Sequence, residues 1–100
     1  MPVYNKLVRD KIPEIIEKSG KKCIIEAMDE KTYLESLDNK LYEELAEYQQ
    51  DKSIEELADL LEVIYAVASA RGYSIEELER IRAEKRGGFK DRIWLKEVIE

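Results

Sequence analysis

The sequence predicts an all-α fold: a bundle of about four helices in one domain spanning residues 1–100, completed by dimerisation. Three observations carry this reading. Apolar residues recur at three- and four-residue steps through the middle of the chain. The string SIEE occurs at Ser53 and again at Ser74, each time ahead of such a run. Glycine and proline, the residues that interrupt helices, number only 4 and 2.

Residues 1–12 mix basic and apolar types, and Pro13 opens a short helix, since proline suits the first helical turn and biases Ile12 toward an extended shape. Ile15 and Ile16 are expected to face inward, and Gly20 to end the helix. The stretch 22–27, KCIIEA, is a weak strand candidate. A second helix is expected from Glu30 to Gln50 behind an Asp29 cap, with Leu34, Leu37, Leu41, Leu45 and Tyr48 on one stripe. Both SIEE strings read as capping boxes, in which the serine oxygen accepts from the N3 amide and Glu56 or Glu77 reaches back. They predict a third helix over 54–71 and a fourth over 75–86, separated by Gly72. The β-like end RIWLKEV admits a minimal two-stranded sheet pairing 22–27 with 92–98.

The third helix is apolar on two sides. Leu57, Leu61, Ile64 and Ala68 line one; Val63, Ala66, Val67 and Ala70 line the other. Such a helix is packed between neighbours, and so short a chain has few to offer. A second copy is expected to supply the rest, as a homodimer or higher homo-oligomer.

Composition excludes several classes of chemistry. The absence of histidine removes Ser-His-Asp triads, Cys-His pairs, HExxH zinc sites and imidazole bases together. The single Cys23 removes an internal disulfide and any CxxC motif, in keeping with a reduced, cytoplasmic protein. A net charge of −6 disfavours nucleic acid, and no signal-peptide or membrane-spanning run is present in the sequence. Any catalysis is left to carboxylates, lysine, arginine and a hard metal ion.

Carboxylates gather at the junction of the second and third helices, in EELAEYQQDKSIEELAD, residues 43–59. Spacing alone carries little weight, because acid pairs three residues apart occur eight times in the chain and are ordinarily solvated surface. Position separates two pairs from the others. Glu44 and Glu47 flank the leucine stripe, and Glu56 and Asp59 begin the face that continues into Val63, Ala66, Val67 and Ala70. A short loop folds the helices antiparallel and brings both pairs to one end. Two carboxylates about 5 Å apart repel by roughly 3 kcal/mol at an effective dielectric near 20. A partly buried quartet therefore requires a cation. Oxygen ligands without imidazole or thiolate point to Mg²⁺, with Mn²⁺ as the substitute.

The pattern Glu43-Glu44-Leu45-Ala46-Glu47 followed by Glu56-Leu57-Ala58-Asp59 resembles that of the all-α NTP pyrophosphatases, the MazG-like family related to phosphoribosyl-ATP pyrophosphohydrolase. The opening YNKLVRDKIPEII and the tail EKRGGFKDRIWL are similar to small house-cleaning members, so the likeness covers nearly the whole chain. The resemblance implies that Glu44, Glu47, Glu56 and Asp59 hold Mg²⁺, and that a nucleoside triphosphate is split between its α- and β-phosphates. Only eight residues separate Glu47 from Glu56, where many relatives carry a longer interval that helps form the base pocket; base and sugar stay open.

Triphosphate hydrolysis also needs cationic side chains and a water placed in line. Lys6, Arg9 and Lys11, with Lys85 and Arg86 ahead of Gly87-Gly88, are the candidates for phosphate; each has the alternative of being a solvated surface charge. Glu47, with Glu44 beside it, is the candidate to activate the water. Phe89 and Trp94 are expected in the core rather than stacked on a base. Two other readings stand beside this one: a phosphoribosyl-ATP hydrolase, and a non-catalytic helical dimerisation module.

Overall fold

The computed structural model describes residues 4–84 and 86–100. Among these the fold is all-α, with helices α1 (Ile12–Lys18), α2 (Glu30–Asp51), α3 (Ile54–Ala70) and α4 (Ile75–Glu84). Caps set these boundaries. The Asp29 carboxylate accepts from the Thr32 amide at 2.8 Å, and this bond holds its pKa below the usual aspartate value. Ser53 Oγ accepts from the Glu56 amide at 3.3 Å and Ser74 Oγ from the Glu77 amide at 3.0 Å, so the serine half of each capping box forms. Such caps are each worth about 1 kcal/mol. Ile12 is already helical at the head of α1, one residue earlier than proline's bias on its neighbour suggests.

Helix packing joins α2 to α3 and α3 to α4. Only Lys52 and Ser53 separate α2 from α3, and Lys52 turns the chain with φ 56°, its amide donating to the Tyr48 carbonyl at 2.7 Å. A left-handed lysine costs about 1 kcal/mol, and the tight reversal it makes fixes α2 and α3 as an antiparallel hairpin. At the far end of the hairpin Arg71 pairs with Asp38 at 3.0 Å. Tyr65 Oη on α3 donates to Glu79 Oε1 on α4 at 3.5 Å.

The apolar interior is small: Leu37, Val63 and Ala68 are its buried members among the described residues. Val63 and Ala68 come from the two opposite sides of α3, in keeping with a helix flanked by neighbours. Leu57, Leu61 and Ile64 stay open along α3, and Leu45 on α2 stays open with them.

Three expectations are corrected. No strand forms among the described residues; 22–27 and 92–98 carry no regular secondary structure and are exposed apart from the half-buried Cys23. An isolated two-stranded ladder is marginal without a face to pack on, and the one-chain fold provides none. Phe89 and Trp94 are 98 % and 84 % exposed rather than in the core. Ile15 also faces outward, while Ile16 is half-buried, because α1 packs against no other described helix. No helix among the described residues is long and apolar enough to cross a membrane.

Candidate functional site

The two-residue loop places the last turns of α2 against the first turns of α3, and the acids meet there. One carboxylate oxygen from each of Glu44, Glu56 and Asp59 lies within 4.8 Å of the others. Glu44 is only 7 % exposed, the one buried charged residue among those described. Its Oε2 and the Oε2 of Glu56 are both enclosed with no hydrogen-bond partner among the described residues. Glu56 thus turns its carboxylate toward the cluster, while its amide serves the Ser53 cap. A buried anionic oxygen without a partner carries a desolvation cost that a bound cation removes.

Of the four acids expected at the site, Glu44, Glu56 and Asp59 converge and Glu47 stands outside that set, exposed at its edge. Glu47 is close enough to matter electrostatically. Burial raises the Glu44 pKa above its usual value, and the neighbouring Glu47 carboxylate raises it further; Lys40 opposes this and Asp59 adds to it. Burial likewise raises Glu56, followed by Glu47 and then by Asp59 and Asp51.

Cations flank the triad on both sides. Lys40 Nζ, one turn before Glu44, lies 3.7 Å from Glu44 Oε1 and 3.3 Å from Glu43 Oε2. Lys40 is a residue that the sequence reading missed. The signal was its four-residue step to Glu44, the ordinary helical ion-pair spacing. From the N-terminal segment, Arg9 Nη1 donates to Asp59 Oδ1 at 3.2 Å and Nη2 lies 3.6 Å from Glu62 Oε1.

Lys6 lines a neighbouring small cleft with Asn5, Leu7, Ser36, Asn39, Lys40 and Glu43, and its ammonium lies 5.7 Å from the Tyr4 ring centre. Lys11, at the head of α1, and Arg86, beyond α4, make no ion pair among the described residues. Lys85 lies outside the described residues. Of the four described cations assigned to phosphate, the fold therefore brings Arg9 to the acids and Lys6 close by.

Three convergent carboxylates, two with an enclosed free oxygen, form a hard-oxygen donor set that fits Mg²⁺, Mn²⁺ or Ca²⁺ in kind. In comparisons with protein-family models, curated proteins and solved structures, nothing matches this chain.

The raised carboxyls have a measurable consequence. Glu44 and Glu56 bind a proton more tightly in the folded chain than in the unfolded one, so each favours the fold at low pH. That contribution is lost as pH rises through the raised values. The metal-free protein is expected to melt higher at about pH 5 than at about pH 7.5, and Glu44→Gln to reduce the difference. The Asp29 cap works in the opposite direction, but its contribution is lost only as pH falls through its lowered pKa. Melting curves in a metal chelator check this; an identical pH dependence in wild type and Glu44→Gln would contradict it.

Proposed function

We propose that the chain is a divalent-cation-dependent hydrolase that splits a nucleoside triphosphate, of ordinary or modified base, between α- and β-phosphates, releasing monophosphate and pyrophosphate. The observation that carries this is the buried Glu44, whose carboxylate converges with Glu56 and Asp59 and whose Oε2 has no partner among the described residues. Solvated acidic surface requires no buried carboxylate, and Glu44 therefore favours the enzyme over the bare dimerisation module. The resemblance of EExxE, ExxD and the two flanking segments to the MazG-like pyrophosphatases supplies the reaction type.

Glu44, Glu56 and Asp59 would hold the cation, and Mg²⁺ is the first choice, with Mn²⁺ next. When bound, that cation neutralises phosphate charge and lowers the pKa of water. Glu47, exposed at the rim of the triad, would take a proton from an attacking water. Arg9 and Lys6 would meet the phosphates of the substrate. The open stripe of Leu45, Leu57, Leu61 and Ile64 supports a second copy packed along the hairpin.

The test is a product analysis over canonical nucleoside triphosphates, modified ones and phosphoribosyl-ATP, each with Mg²⁺. Monophosphate and pyrophosphate in equal amounts, without a diphosphate intermediate, are expected. Turnover confined to phosphoribosyl-ATP would select the biosynthetic reading instead. Orthophosphate as the only phosphate product would overturn the assignment.

A further inference from the structure

Arg9 is fifty positions from Asp59 in sequence, yet its guanidinium bridges Asp59 and Glu62, one turn apart on α3, at 3.2 and 3.6 Å. Asp59 is also one of the three acids whose oxygens converge, so Arg9 holds a carboxylate that a cation at the triad would take. Two positive groups on one aspartate each weaken the hold of the other. A divalent cation on Asp59 repels a guanidinium hydrogen-bonded to the same carboxylate, and Glu62 remains as a second anchor for Nη2. The freed Nη1 is then held at the edge of the site, with its donors toward whatever anion the cation brings in. A guanidinium offers the forked geometry that phosphate oxygens accept.

Building on the hydrolase reading above, we propose that Arg9 is a positioning residue that changes partner with metal occupancy: it neutralises Asp59 in the metal-free protein, yields it to the cation, and turns to a phosphate of the substrate. The N-terminal segment is thereby linked to the metal through one side chain, and metal is bound ahead of the triphosphate. Arg9 should oppose metal alone and favour metal with phosphate. A residue that only braces the fold would not act in opposite directions on the two ligands.

The experiment is calorimetry on the full chain with Mg²⁺ alone, then with inorganic pyrophosphate at saturating Mg²⁺. Arg9→Gln is expected to tighten Mg²⁺ binding two- to fivefold, about what an exposed ion pair can contribute. It is expected to weaken pyrophosphate binding about tenfold, the scale of a charge-assisted hydrogen bond. Lys18→Gln, which removes a charge paired with Glu14 on α1, is the control and should move neither. The Arg9 Nε–H resonance, assigned by its loss in Arg9→Gln, should shift on adding Mg²⁺ and again on adding pyrophosphate. Mg²⁺ uptake that is indifferent to Arg9→Gln, or changes of the same sign for both ligands, would overturn the proposal and leave the hydrolase reading standing. No Mg²⁺ uptake by the wild-type chain would overturn both.

Discussion

Glu44→Gln and Asp59→Asn are each expected to lower kcat by about a thousandfold or more, whereas Glu35→Gln should leave it within about twofold. The two classes of variant have the same chemistry. Glu35 and Asp38 share the three-residue spacing of Glu44 and Glu47, but Glu35 is exposed at the opposite end of the hairpin and Asp38 is already paired with Arg71. Glu44 differs in being enclosed, with an unpartnered oxygen and a carboxylate that converges with Glu56 and Asp59. An amide at that position keeps the shape and removes the charge, so metal placement suffers while packing does not. Removing one charge from the triad should also stabilise the metal-free chain. Added Mg²⁺ at about a hundred times its Kd favours the folded wild-type protein by about 2.7 kcal/mol, roughly 10 °C or more in Tm for a chain of this size. That increment should disappear in Glu44→Gln. A Glu35→Gln variant as inactive as Glu44→Gln would show that position on the hairpin is not what distinguishes the acids.

The parts of this site that sequence made legible are those governed by local geometry. Asp29, Ser53 and Ser74 mark helix starts because a side-chain oxygen and an amide three residues on are always within reach in that conformation. Glu44, Glu56 and Asp59 could be singled out because helical steps link them to apolar positions, and a two-residue turn leaves the hairpin little freedom. Glu47 shows what helical periodicity leaves open. It shares the spacing and the end of the helix, but a small rotation of α2 about its axis separates a converging oxygen from one at the rim, and periodicity does not resolve that angle.

Arg9 illustrates a second limit. Its assignment to phosphate rests on charge alone, whereas its carboxylate partners lie on α3, and no local rule links the two segments. The 22–27 and 92–98 segments illustrate a third. Their β-like composition is real, but pairing needs a covering face, and Ile24, Ile25, Trp94 and Ile93 all remain in solvent. Local preference determines which conformation a segment tolerates; the available partners determine whether it is used.

Lack of partners within one chain leads to the expectation that the protein is at least a homodimer at micromolar concentration. A compact monomer of 11.7 kDa exposes on the order of 5,900 Å², but this chain exposes 9576 Å². Its radius of gyration is 18.1 Å, against about 13 Å for a compact domain of 100 residues. Part of the excess is the exposed C-terminal stretch. The remainder includes a contiguous apolar line on the hairpin: Leu57, Leu61 and Ile64 on α3, with Leu45 on α2. A stable dimer buries about 800 Å² on each partner, well within that excess. Helix against helix is the packing that such a line permits, so two hairpins would complete a four-helix bundle with α3 at its centre. Leu61→Asp puts a charge in the middle of the line, where burial would cost several kcal/mol, and should weaken association a hundredfold or more. Light scattering across a dilution series distinguishes the outcomes. A wild-type chain that scatters as a monomer at micromolar concentration, or a Leu61→Asp chain that associates as tightly as wild type, would mean that this face is not covered by a second copy.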